Sequence, residues 1–119
     1  MERTKARNWI ITRNFSDGEL IDAQSWLSAL FTQTKATYVV GQLERGLNEG
    51  RDHIQAYINY NSDKALGGIK KYCNKMHIEI CRDANSSQRY CLKPLTRVAG
   101  PWEFGNKPLR RNNKDDWDE

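Results

Sequence analysis

His53 and Gln55 stand on either side of Ile54 in the stretch RDHIQAYINYN (51–61). Side chains of a β-strand alternate between its faces, so the imidazole and the amide project together while Ile54 projects the other way. Strict alternation divides the stretch into an apolar set, Ile54, Ala56 and Ile58, and a hydrogen-bonding set, His53, Gln55, Tyr57 and Asn59. In ATYVVGQLER (36–45), Gln42 and Glu44 alternate with Leu43 in the same way. If the two stretches form a hairpin, Glu44 can lie across from the His53/Gln55 pair. One carboxylate, one imidazole and one amide oxygen are mostly hard donors, suited to Mg²⁺ or Mn²⁺ rather than to a closed structural zinc. Coordination positions left open would let such an ion polarise a phosphoryl oxygen.

A second pair lies in RYCLKP (89–94). On a helix, residues three apart share a face, which would set Tyr90 beside Lys93. A tyrosine hydroxyl next to a cation is a candidate nucleophile for a phosphodiester, with the ammonium holding phosphate or offsetting developing charge. Each pair alone also has a plain reading: solvated strand residues in the first case, a half-buried tyrosine beside an exposed lysine in the second. The combination is what favours chemistry.

Several elements must position these groups. NWIITRNF (8–15) is rich in β-branched and aromatic residues and predicts a first strand. Ser16 and Glu19 have capping-box spacing, and Leu20, Ala23, Trp26, Leu27, Leu30 and Phe31 then recur as the apolar stripe of a helix. Stretches 36–45 and 53–60 predict two strands joined by the polar, glycine-containing turn 46–52. Residues 62–75 suggest a short helix interrupted by Gly67 and Gly68, and MHIEICR (76–82) alternates as a further strand. A helix capped from Asn85, Ser86 or Ser87 should end at Pro94, and 98–105 suggests a short edge strand. This order predicts an α+β fold, a central antiparallel β-sheet flanked by helices. Residues 1–7 are expected to be a basic tail, 8–105 the folded domain, and 106–119 a loose, charged tail.

The chain has 119 residues, room for one domain with one modest core, and 12 of them are Trp, Tyr or Phe, which argues against wholesale disorder. A net charge of +4 makes a polyanionic partner plausible without identifying it. Cys73, Cys81 and Cys91 are odd in number and lack CxxC spacing, so neither a disulfide framework nor a zinc cluster is suggested, and a reducing compartment fits. No run of eighteen apolar residues and no signal-peptide core is visible, so no membrane span is expected and the protein is read as intracellular.

With these residues in view, the chain resembles the replication-initiator (Rep) endonuclease domains of circular single-stranded DNA viruses, the circovirus, nanovirus and geminivirus Rep proteins of the HUH superfamily. Their three ordered motifs look like WIITRNF, DHIQAYINY and RYCLKP, with further similarity in YVVGQLERG, KMHIEICR and GPWEFG. The resemblance implies a ferredoxin- or RRM-like sandwich and a site-specific nickase and strand-joining enzyme that starts rolling-circle replication. It implies that Tyr90 is the nucleophile forming a 5′-phosphotyrosine link, that Lys93 accompanies it, and that Glu44, His53 and Gln55 hold the Mg²⁺ or Mn²⁺ ion. The implied partner is single-stranded DNA at a viral origin hairpin, and the implied place of action the host nucleus. Full-length relatives continue into a helicase domain and can assemble further; no G-x-x-x-x-G-K-[ST] occurs here, so an excised domain or a Rep without that partner is expected.

The first motif departs from the family's usual Thr-x-Asn-Asn, because Phe15 follows Thr12, Arg13 and Asn14. Thr12 and Asn14 are expected on one strand face near the DNA, with Arg13 as a phosphate contact or base-reading fork. His77 shares a face with Glu79 on a strand that the resemblance places beside DNA, and Arg7, with Arg3 and Lys5, could follow phosphates. The rival reading is a non-catalytic single-stranded nucleic-acid binding module that uses the sheet as a stacking platform. It accounts for charge and fold, but not for the meeting of Glu44, His53 and Gln55 opposite Tyr90 and Lys93.

Overall fold

The fold is described from a computed structural model, which describes residues 5–46, 51–73, 76–81, 88–89 and 91–107. In chain order the elements are β1 (Lys5–Asn14), α1 (Ala23–Gln33), β2 (Tyr38–Arg45), β3 (Asp52–Ala65), α2 (Leu66–Lys70), β4 (His77–Ile80) and β5 (Arg97–Gly105). The strands form one antiparallel sheet in the order β4-β1-β3-β2-β5. The expected α+β class and the β2–β3 hairpin are therefore present. β1 begins at Lys5 rather than at residue 8, because Lys5 and Ala6 pair with Ala65 and Lys64 at the far end of β3.

That pairing also corrects the expected helix over 62–75. Asn61, Ser62, Asp63 and Lys64 have no strand periodicity of their own, yet β3 runs through them, and among the described residues of that stretch only Leu66–Lys70 is helical. A neighbouring strand that satisfies the backbone outweighs weak local propensity. Placement of the expected N-cap at Asn85, Ser86 or Ser87 lies outside the described residues; Gln88 and Arg89 are helical.

One face of the sheet carries the main core. Ile11, Ile54, Ala56, Ile58 and Val39 pack against Ala23, Leu27 and Leu30 of α1 and Ile69 of α2. Each fully buried aliphatic side chain contributes about 1.5–3 kcal/mol relative to exposure. Gly41 lets α1 approach: a Cβ there would meet Leu27 Cδ2 at 2.9 Å and the Gln55 carbonyl at 2.8 Å. Leu20, expected in the helical stripe, is 95% exposed, because α1 starts later, at Ala23 with Asp22 as its N-cap.

Ser16 and Glu19 form a turn instead of capping that helix. Glu19 Oε1 accepts from the Ser16 backbone N–H at 2.8 Å, and its carboxylate takes two hydrogen bonds from Arg13, at 3.1 and 2.7 Å. These bonds, from Arg13 first and then Ser16, lower the Glu19 pKa to about 2. A carboxyl whose folded pKa is depressed stabilises the fold above its unfolded value and loses that contribution as pH falls through the folded one. The difference in Tm between wild type and Glu19→Gln should therefore be largest above pH ~4.5 and shrink as pH falls toward 2. A pH-independent difference in thermal melts would rule out this origin.

The opposite face departs from a uniformly polar surface. Tyr38, Val40, Tyr57, Cys81 and Cys91 form a second buried cluster, with Ile10 and Leu92 packed against it. Of the polar residues expected there, His53 and Gln55 occupy one end of the face, and Asn59 lies at the other, beyond Tyr57, donating to Asn8 Oδ1 at 2.8 Å. Tyr57 explains the difference: its ring packs, while its hydroxyl donates to Asn8 Oδ1 at 2.6 Å. Among the described residues, no helix is long and apolar enough to cross a membrane.

Candidate active site on the sheet face opposite the main core

Strand register assembles the site. Glu44 is the direct cross-strand partner of His53, and His53 in turn of Asn14. One row further along, Gln42, Gln55, Thr12 and His77 follow one another across β2, β3, β1 and β4. Antiparallel partners share a face, so two polar rows lie side by side next to the Tyr57 cluster. Gln42, Glu44 and Gln55 are buried, with 0%, 0% and 3% exposure.

Glu44 is the centre of the charge arrangement. His53 Nε2 and Lys93 Nζ both lie 3.0 Å from Oε1, and Gln42 Nε2 donates to Oε2 at 2.7 Å. Burial pushes the carboxyl pKa up, but hydrogen bonds from His53, Gln42 and Lys93 outweigh it, and the net value lies below the ordinary one. Glu44 is thus held as an anion. The His53 side chain is 19% exposed and that of Lys93 31%, against 1% for Glu44, so His53 and Lys93 form the rim through which a substrate would reach the carboxylate.

Gln55 completes the floor. Its side-chain oxygen accepts from the Thr12 hydroxyl at 3.2 Å. A carboxylate oxygen, an imidazole nitrogen and an amide oxygen on adjacent strand positions suit a hard divalent cation. The donor chemistry, with an ionised buried carboxylate next to a histidine nitrogen, fits such an ion. Among the described residues no group of three or more His, Cys, Asp or Glu side chains is placed to hold a metal ion. An ion here would therefore rest on two such ligands and an amide, with positions left for water or phosphate.

Other expected site residues divide by location. Thr12, Asn14 and His77 belong to the two polar rows; the exposed His77 ring lies 2.7 Å from Glu79 Oε2. Arg13 pairs with Ile54 and belongs to the core-side face, its guanidinium engaged by Glu19. Arg7 is exposed, 3.9 Å from Asp63, and seven residues before Asn14 on β1, roughly 23 Å at the usual strand rise. Tyr90 lies outside the described residues. Its neighbour Cys91 is buried in the second cluster, with burial first raising its pKa to about 12. Tyr38 and Tyr57, on the same face, serve packing: their hydroxyls donate to Glu103 and Asn8, and burial raises both pKa values.

A sequence model of the viral replication protein family matches residues 6–94, which contain β1 except Lys5, the elements from α1 to β4, Glu44, His53, Gln55 and the RYCLKP segment. The chain belongs to the viral Rep family. This Rep domain is 33% identical over 116 residues to the Para-Rep C3 protein of milk vetch dwarf C3 alphasatellite, covering 96% of the chain and 37% of that protein. It is 31% identical over 105 residues to Para-Rep C7 of faba bean necrotic yellows C7 alphasatellite, covering 88% of the chain and 33% of that protein. To the master replication protein of faba bean necrotic yellows virus (isolate Syrian SV292-88) it is 38% identical over 80 residues, covering 66% of the chain and 28% of that protein. The Rep domain thus spans about a third of the length of these relatives.

One residue of the Rep domain's site escaped the sequence reading, and another was placed by it without a task. Gln42 was read onto the Glu44 face, alternating with Leu43, but given no role. Arg97 gave no signal, because its partners Gln42 and the Leu92 carbonyl are distant in sequence or belong to the backbone.

Proposed function

We propose that this Rep domain is a divalent-metal-dependent, site-specific single-stranded DNA nickase and joining enzyme that initiates rolling-circle replication of a viral genome. Relatives named master replication proteins support the replication role. The observation that carries the chemistry is the convergence of His53 and Lys93 on one oxygen of the buried Glu44 carboxylate.

Glu44, His53 and Gln55 would hold Mg²⁺ or Mn²⁺, which supplies Lewis-acid polarisation of the scissile phosphoryl group. Tyr90 would attack phosphorus through its phenolic oxygen. The new O–P bond forms as the bond from phosphorus to the 3′ oxygen breaks, and the phenolic proton ends on the released 3′-hydroxyl. The 5′-phosphotyrosine keeps the energy of the broken linkage, so the reverse attack by a 3′-hydroxyl rejoins the strand without ATP. Lys93, 3.0 Å from Glu44, can turn its ammonium to charge developing on phosphate. Thr12, Asn14 and His77 continue the polar floor along which DNA would lie, at an origin hairpin in the host nucleus.

The test is incubation with a labelled single-stranded origin oligonucleotide and Mn²⁺, followed by a denaturing gel. A covalent protein–DNA band that chelation removes is expected. Binding without any such band would favour a non-catalytic nucleic-acid module.

A further inference from the structure

Gln42 has no exposed surface, and the chemistry above gives it no task. Its amide nitrogen nevertheless joins the two halves of the site, donating to Glu44 Oε2 at 2.7 Å and to the Lys93 backbone carbonyl at 2.7 Å. An amide nitrogen has two hydrogens, and both are used. The amide oxygen accepts from Arg97 Nε at 3.0 Å, while Arg97 Nη2 donates to the Leu92 carbonyl at 2.8 Å. A guanidinium only donates, so it fixes which end of the amide faces it and turns the nitrogen inward.

Backbone irregularity makes this arrangement possible. Pairing of β2 with β5 runs as far as Gly41 with Trp102, then shifts between Gly41 and Leu43, which pairs with Ala99, and again between Leu43 and Glu44, which pairs with Arg97. Such a break re-aims side chains that a regular ladder would keep apart. It brings Arg97 level with Glu44, and the Arg45 N–H to the Thr96 carbonyl bond, 3.0 Å, holds the chain after Pro94 against β2.

We infer that Gln42, oriented by Arg97, is a positioning residue that locks the Leu92–Lys93 backbone to the Glu44 carboxylate. One buried amide thereby sets the segment following Tyr90 in register with the acidic ligand. Resting on the nickase reading, this inference adds a residue pair that touches neither DNA nor metal and acts through Glu44 and Lys93. With Gln42 holding Oε2, the other carboxylate oxygen stays turned toward His53.

The test compares wild type, Gln42→Met, Arg97→Met, the double variant and a control, Thr34→Val. The control removes the buried hydroxyl bond to the Leu30 carbonyl at the end of α1, away from the site. Four quantities are measured: single-turnover adduct formation with Mn²⁺, oligonucleotide Kd, Mn²⁺ affinity by calorimetry, and Tm. Gln42→Met should slow adduct formation about 30- to 100-fold and weaken Mn²⁺ binding severalfold, with DNA Kd within about twofold. Adding Arg97→Met to it should cost little more, since the two act as one unit. Thr34→Val should lower Tm without changing the rate.

A Gln42→Met protein that reacts at the wild-type rate overturns the inference and leaves the nickase reading standing. So do losses that multiply in the double variant, or a rate loss shared by Thr34→Val. If Gln42→Met does not fold, Arg97→Met alone should be about tenfold slow, and a wild-type rate there overturns the inference. A wild type that forms no adduct removes the nickase reading and this role together.

Discussion

Tyr90→Phe should abolish the covalent protein–DNA species, with adduct formation at least about 10³-fold slower than in the wild type. The substitution removes one oxygen and leaves the ring, so oligonucleotide affinity should stay within about twofold. Tyr38 and Tyr57 are committed to hydrogen bonds with Glu103 and Asn8, and burial disfavours their phenolate forms. Cys91 adjoins Tyr90 in the chain but is buried, with its thiol pKa raised to about 12. An adduct persisting in Tyr90→Phe would move the nucleophile to another residue. Peptide mapping of the trapped species would then locate it.

His53→Ala should lower the cleavage rate about 10²- to 10³-fold, or about 2.7–4 kcal/mol in the barrier, while changing DNA affinity far less. The imidazole is part of the rim around Glu44 and lies 3.0 Å from its oxygen. Its loss removes one of two non-amide donors and leaves the carboxylate to Lys93 and Gln42. A ligand for a catalytic ion acts on the transition state, so rate and affinity should separate. Equal losses in both would mean that His53 reads DNA and holds no metal. Raising Mn²⁺ should recover part of the rate if binding of the ion is what weakened.

The hairpin that carries the site was legible in the sequence because its signals are local. Alternation in YVVGQLER and DHIQAYINY sets which residues share a face, and the apolar residues Ile54, Ala56 and Ile58 can satisfy only one register with a core on that side. Glu44 opposite His53 follows from that register. What β1 does was not legible. It lies between β3 and β4, and its pairing with residues 53–65 depends on contacts 39 to 60 positions away in sequence. The same long-range pairing pulled residues 61–65 into β3 against their composition. Tyr57 was ambiguous because a tyrosine can pack its ring and still satisfy its hydroxyl; the sequence shows the hydroxyl and hides the cluster with Cys81 and Cys91. Arg13 illustrates a further limit. Adjacent to Thr12 and Asn14, it necessarily alternates to the other face, where Glu19 of the following turn is within reach of its guanidinium.

The proposed nickase chemistry requires a divalent ion held by Glu44, His53 and Gln55. Its most direct test is anomalous diffraction from crystals of this Rep domain soaked in MnCl₂. The predicted result is one peak within about 2.5 Å of a Glu44 carboxylate oxygen, a His53 ring nitrogen and the Gln55 side-chain oxygen. No peak there at saturating Mn²⁺, with the Glu44 carboxylate still shared between His53 and Lys93, would contradict it.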